Sequence, residues 1–190
     1  LRDPAVLLND YLKKKFEKII NFELKKKKII IGIGRLTKQK NFNLLINAFH
    51  QIQKKYSEYE LFILGEGEKK LELTKLTNKY GLEKKVHFFG YQDNVYKYLK
   101  KADCFILTSL WEDPGFVLLE AGLSNTSIIS SDCKNGPREI LDNGNNGYLF
   151  ENNNLNSLLE KFDEFKKTDK IKLREKKINL KKELRKFTLY

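Results

Sequence analysis

Two glutamates, Glu112 and Glu120, are separated by seven residues, and the chain changes character between them. Phe105-Ile106-Leu107 reads as a buried strand with Thr108-Ser109 as its polar exit. Asp113-Pro114-Gly115 cannot prolong that strand, because proline lacks an N–H and glycine admits backbone angles closed to other residues. Phe116 to Leu123 then reads as a buried helix. Glu112 is therefore expected on a loop above a strand end and Glu120 in the first turns of the following helix. Carboxylates are acceptors, suited to gripping the hydroxyls of a sugar or a ribose. The alternative is a loop glutamate and a helix glutamate with no shared task.

A second segment offers the complementary charge. Gly32-Ile33-Gly34-Arg35-Leu36-Thr37-Lys38-Gln39-Lys40-Asn41 begins at the end of an apolar run. Its two glycines permit a tight turn and close approach to a ligand, and the loop leads into a helix N-terminus, which favours anions. Arg35 can fork onto a phosphate, and Lys40 adds a mobile point charge. The segment is neither a Walker loop nor a Gly-x-Gly-x-x-Gly dinucleotide fingerprint, which disfavours an oxidoreductase.

The elements that must position these residues alternate regularly. Strands are expected at 28–33, 60–64, 86–89, 103–108, 127–130 and 147–150. Helical stretches are expected at 43–53, 69–80, 94–101, 116–123, 137–141 and 155–165, with Gly81 as a C-cap. Short, largely apolar strands alternating with helices imply an α/β fold, a Rossmann-like, doubly wound parallel sheet. Ligands of such sheets bind outside the carboxyl ends of the strands.

Size and composition narrow the classes. The 190 residues suit one domain with a real core, and 41% hydrophobic residues argue against disorder of the whole. Cys104 and Cys133 lack metal-ligand spacing, which fits a reduced, cytoplasmic protein. No apolar run approaches the roughly 20 residues needed to cross a bilayer, and the N-terminus does not read as a signal peptide. The net charge of +12 is spread along the chain among glutamates and asparagines, so the lysines read mostly as solvated faces. With no basic–aromatic platform and no zinc-finger spacing, nucleic acid is not an expected partner.

Taken together, Glu-x7-Glu, the Gly-Arg-Leu loop with Lys40, Leu64-Gly65-Glu66-Gly67, Val86 to Tyr91 and Gly136-Pro137-Arg138-Glu139-Ile140 resemble the retaining GT-B glycosyltransferases of family 4. The resemblance spans 28–150 and covers the C-terminal, donor-binding domain, one half of a GT-B fold. It implies transfer of a sugar from a nucleotide diphosphate, expected to be a UDP-sugar, to an acceptor hydroxyl in glycan or polysaccharide biosynthesis. Arg35 and Lys40 would hold the diphosphate, Glu120 the ribose and Glu112 the transferred sugar. Gly34, Tyr91, Asp113, Gly115 and Phe116 complete the nucleotide-sugar contacts that it implies, with Tyr91 at the base. Pro114 has no amide to offer where the family often presents Gly-Phe-Gly, which leaves the donor sugar open. His50 and His87 read as structural, and Lys134 and Arg138 as secondary candidates for a phosphate.

No Asp-x-Asp pair stands at a strand end, so no cofactor and no metal are expected: cations of the chain would stabilise the leaving diphosphate. The organisation expected is a helix or linker segment at 1–26, with a helix over 6–20, then the nucleotide-sugar-binding domain at 27–168 and a basic helix at 169–190. That last helix, with Ile171, Leu173, Ile178, Leu180, Leu184 and Phe187 as its apolar positions, reads as a solvated helix packed on one edge. The alternatives are contact with the cytoplasmic face of a membrane or with a missing partner domain. The glycan or lipid-linked acceptor would bind mainly to that N-terminal domain, outside this chain. The competing functional reading is a stand-alone nucleotide-sugar binding module without catalysis.

Overall fold

The computed structural model describes residues 12–14, 27–113 and 115–184. Pro114, Phe187 and most of the helix expected over 6–20 lie outside the described residues; 12–14 are helical. Among the described residues six strands are present: β1 (Lys28–Ile33), β2 (Tyr59–Leu64), β3 (Val86–Gly90), β4 (Cys104–Leu107), β5 (Ser127–Ser131) and β6 (Tyr148–Phe150). They form one parallel sheet in the order β3-β2-β1-β4-β5-β6. The doubly wound Rossmann-like arrangement read from the sequence is the observed one. Its topological switch point falls between β1 and β4, where the chain, having built outward to β3, returns to the centre.

Alternation along β1 explains how the helices divide. Ile30 faces a layer made by α1 (Phe42–Lys55), α2 (Lys70–Lys79) and α6 (Leu155–Lys167), with Phe49, Leu73 and Phe162 in its core. Ile29, Ile31 and Ile33 face the other layer, made by α3 (Tyr96–Leu99), α4 (Phe116–Leu123), α5 (Pro137–Ile140) and α7 (Lys170–Leu184). Side chains of neighbouring strand residues point to opposite faces, so an unbroken apolar run serves both layers.

The terminal helix α7 is packed on one edge, as its apolar positions suggest, and not every one of its lysines faces solvent. Leu180 and Leu184 pack onto α4 at Gly122, where a Cβ would fall 2.6 Å from Leu184 Cδ1. Lys176 Nζ donates to the carbonyls of Gly144, Asn145 and Gly147 at 2.9, 3.0 and 3.1 Å, and burial lowers its pKa. This lysine clamps the loop that enters β6. Ile171 and Ile178 remain exposed. Among the described residues, no helix is long and apolar enough to cross a membrane.

Candidate nucleotide-sugar site

The exits of β1 and β4 lie side by side, and long-range hydrogen bonds lock their loops together. Leu110 N donates to Gln39 O at 2.8 Å, Gln39 Nε2 to Trp111 O at 2.9 Å and Thr108 Oγ1 to Lys40 O at 3.0 Å. A third loop joins from β5: Glu112 N donates to Lys134 O at 3.1 Å beside a parallel bridge between Trp111 and Lys134. A fourth joins after β6, where Asn152 Nδ2 donates to Leu110 O at 2.8 Å. The polar exit Thr108-Ser109 is itself buried, and Ser131 Oγ donates to Ser109 O at 2.7 Å.

At the centre of this junction Lys40 Nζ meets Glu112 Oε1 at 2.5 Å, with only 15% and 4% of the two side chains exposed. Taking a carboxylate and an ammonium out of water costs several kcal/mol each, so a pair this enclosed needs good geometry to persist. Gly34 leaves the room for it. Its φ is +153°, and a Cβ there would lie 3.2–3.3 Å from the Lys40 side chain. Closer still, a Cβ on Gly65 would fall 1.9 Å from Gly34 O, so the β2 exit can abut the β1 exit only as glycine. Gly115 enters α4 at φ +85°, where a Cβ would lie 3.6 Å from Glu112 Cβ and Cγ, and it is buried.

The remaining expected site residues lie on loops and on α4 at the same side of the sheet. Arg35 is exposed at the mouth and forms no ion pair among the described residues. Asp113 is exposed, while Phe116 and Glu120 are half-buried on α4. Tyr91 stands on the loop after β3, 73% exposed, at the far flank of the strand ends. All of them lie at the carboxyl side of the sheet, where Lys40 and Glu112 are locked to each other. His50 stacks on Tyr80 with centroids 4.2 Å apart, and His87 pairs with Glu60, so neither belongs to the mouth.

Three contributors escaped the sequence reading. Gln39 and Asn152 act through carboxamides on backbone contacted across 72 and 42 residues, for which no local signal exists. Cys133 is buried beside the pair: burial pushes its thiol pKa up, Glu112 adds to that, and Lys40 opposes it. An open cleft of about 790 Å³ begins at Lys134 and runs past Asp132, Asn135, Arg138, Glu139 and Asp142. Arg138 is engaged there by Asp132 through both ends of its guanidinium. Among the described residues, no group of three His, Cys, Asp or Glu side chains is placed to hold a metal ion.

The family profile of glycosyl transferases group 1 matches residues 13–184. The chain belongs to that family. Among its group 1 relatives, an uncharacterized glycosyltransferase of Methanocaldococcus jannaschii is 43% identical over 135 residues, 71% of this chain and 32% of that protein. The N-acetylgalactosamine-N,N'-diacetylbacillosaminyl-diphospho-undecaprenol 4-alpha-N-acetylgalactosaminyltransferase of Campylobacter jejuni is 35% identical over 147 residues, 77% of this chain and 40% of that one. The chain thus spans well under half the length of the curated relatives it matches. Among solved structures, a Staphylococcus aureus TarM mutant in complex with Fondaparinux, alpha-GlcNAc-glycerol and UDP superposes with a TM-score of 0.78. It is 27% identical, over 91% of this chain and 34% of that one. The neighbours are GT-B glycosyltransferases, and this group 1 chain corresponds to one Rossmann-like half of that fold.

Proposed function

We propose that this chain is the donor-binding half of a retaining glycosyltransferase of family 4, taking its sugar from a nucleotide diphosphate, by preference a UDP-sugar. The observation that carries the reading is the enclosed Lys40–Glu112 pair at the switch point, with exposed Arg35 beside it. In the reaction the bond between the sugar's anomeric carbon and the diphosphate oxygen breaks, and its electrons leave with the diphosphate. The acceptor hydroxyl supplies the oxygen of the new α-linkage and releases its proton. Charge therefore grows on the diphosphate while the sugar becomes cation-like. Cations fixed before the reaction stabilise such growing charge without reorganising.

Each residue then has a task. Arg35 forks onto the diphosphate. Lys40 carries a second positive charge toward it and at the same time fixes the Glu112 carboxylate. Glu112 positions the sugar through its hydroxyls, assisted by Asp113 and by the backbone around Gly115 and Phe116. Glu120 accepts from the ribose hydroxyls, Gly34 keeps the backbone close to the phosphates, and Tyr91 stacks on the base. No metal is required, because the chain's own cations meet the charge. The glycan or lipid-linked acceptor is completed by a further domain, and the work is done at the cytoplasmic face of a membrane.

Calorimetric titration of this chain with UDP, GDP and ADP in EDTA tests the reading, beside Glu120→Ala and Arg35→Ala. Saturable binding of one nucleotide, weakened about tenfold or more by either substitution, is the expected result. If none of the three binds, or if binding is indifferent to both substitutions, the assigned site is wrong. Binding that requires added Mg²⁺ or Mn²⁺ would remove the metal-independent part.

A further inference from the structure

Trp111 is the single tryptophan of the chain, and it is 47% exposed immediately before the buried Glu112. Its backbone is held unusually firmly for a loop residue. Gln39 Nε2 donates to its carbonyl, Asn152 Nδ2 donates to the carbonyl of Leu110, and the bridge to Lys134 pins its other side. Three loops, after β1, β5 and β6, thus fix the backbone that carries one exposed indole at the carboxyl edge of the sheet. The bridge makes this backbone strand-like, so consecutive side chains point to opposite sides. Glu112 turns inward to Lys40, and Trp111 turns outward to solvent.

We propose that Trp111 is the stacking platform for a pyranose ring of the acceptor, giving this chain part of the acceptor site. The inference rests on the donor reading above. A sugar held by Glu112 lies on the inward side and cannot also cover Trp111, so the ring on the outward side is a second one. The face of an indole is electronegative, and the C–H groups on one face of a pyranose carry the matching partial positive charge. The carboxamides of Gln39 and Asn152 beside the backbone, and the ammonium of exposed Lys134, supply hydrogen-bonding groups at the rim. A polar rim around one exposed aromatic suits a hydroxyl-rich ring better than an apolar protein surface. Because the backbone is already fixed, stacking orders little else.

The lone tryptophan makes the test direct. The emission of this chain is followed during titration with methyl α-glucoside, methyl α-galactoside and methyl α-N-acetylglucosaminide, each with and without saturating UDP. Saturation-transfer NMR of the same glycosides is run on the wild type, Trp111→Ala and Trp111→Phe, with UDP affinity measured for all three. At least one glycoside should shift the emission to the blue and shield it from acrylamide in a saturable way. Its transfer signal should fall about three- to tenfold in Trp111→Ala and recover in part in Trp111→Phe, with UDP affinity unchanged. UDP binding without protection of Trp111 by any glycoside overturns the platform and leaves the donor site standing. Protection by a glycoside without any UDP binding would show that Trp111 stacks a sugar but would remove the donor reading, and with it the acceptor role. An emission shift caused by UDP-glucose or UDP-N-acetylglucosamine but by no free glycoside would assign Trp111 to the donor sugar and overturn the acceptor role.

Discussion

Two buried glutamates in this molecule each hold a lysine, at opposite ends of the same sheet. Glu112, 3% exposed, meets Lys40 where β1 and β4 end. Glu60, 2% exposed, lies near the start of β2 and is engaged by Lys27 and, at 3.0 Å, by His87 Nε2. By burial and charge alone the two are equivalent. Their surroundings are not. Glu60 has partners that reach out to water, with 50% of the Lys27 side chain and 28% of the His87 side chain exposed, and it is flanked by regular strand. Glu112 is flanked by glycines at positive φ, a helix N-terminus and exposed Arg35, all at the carboxyl ends of strands. A buried ion pair is therefore weak evidence of a site; its place on the sheet and the groups left exposed beside it distinguish the two.

Neutral substitution of the two glutamates should separate them most sharply. For the proposed transfer reaction, Glu112→Gln is expected to lower the rate about 100-fold or more, whereas Glu60→Gln leaves it within about twofold. Thermal melts should show losses of similar size, about 1–3 kcal/mol, since each variant leaves charged or polar partners imperfectly satisfied. Equal activity losses in the two variants would erase the distinction between the two ends.

Glycines at the two ends give the next effect. Gly65→Ala should destabilise the protein by about 3 kcal/mol and abolish nucleotide binding, because its Cβ lands on Gly34 O at φ +135°. A Cβ at Gly81, where φ is +64°, would meet nothing within 4 Å, so Gly81→Ala should cost only about 1 kcal/mol and spare binding. Denaturant melts and UDP titration of both variants check this. Preserved binding in Gly65→Ala would show that the β1 and β2 exits need not touch for the mouth to form.

The smallest expected effect lies away from both pairs. Burial, aided by the charge of Lys54, lowers the His50 pKa below 6.5. A histidine with a depressed folded-state pKa contributes stability that is complete above the unfolded value, near 6.5, and is lost as pH falls through the folded one. The urea midpoint should therefore fall less between pH 7 and about pH 5 in His50→Gln than in the wild type. UDP affinity at pH 7 should be the same in both. Parallel midpoint shifts would place the acid sensitivity elsewhere.

Most of the fold was legible because each element is written locally. The apolar runs of β1 and β4, the break at Asp113-Pro114-Gly115 and the C-cap at Gly81 are all short-range patterns, and the helix over 116–123 matches its expected bounds. Glu112, Glu120, Arg35 and Lys40 were likewise legible as candidates, through residue type and spacing. The lysine-rich terminal helix was read less fully. Composition marks its lysines as solvent-facing, yet Lys176 is drawn onto three carbonyls by a loop about 30 residues upstream in sequence. No periodicity within the helix announces that partner.

The sequence by itself thus determined the alternation of strands and helices, the family and the set of charged residues at strand exits, since all of these follow from local pattern. Only the tertiary structure decided that Lys40 and Glu112, 72 residues apart, share a 2.5 Å contact, while Arg35 stays open beside them. It also decided which of two buried glutamates stands at the switch point, and that Trp111 is held outward by three loops. The physical reason is that a charge's environment is set by what packs around it. Parallel strand order brings the exits of β1 and β4 together, and no short window of the chain contains both.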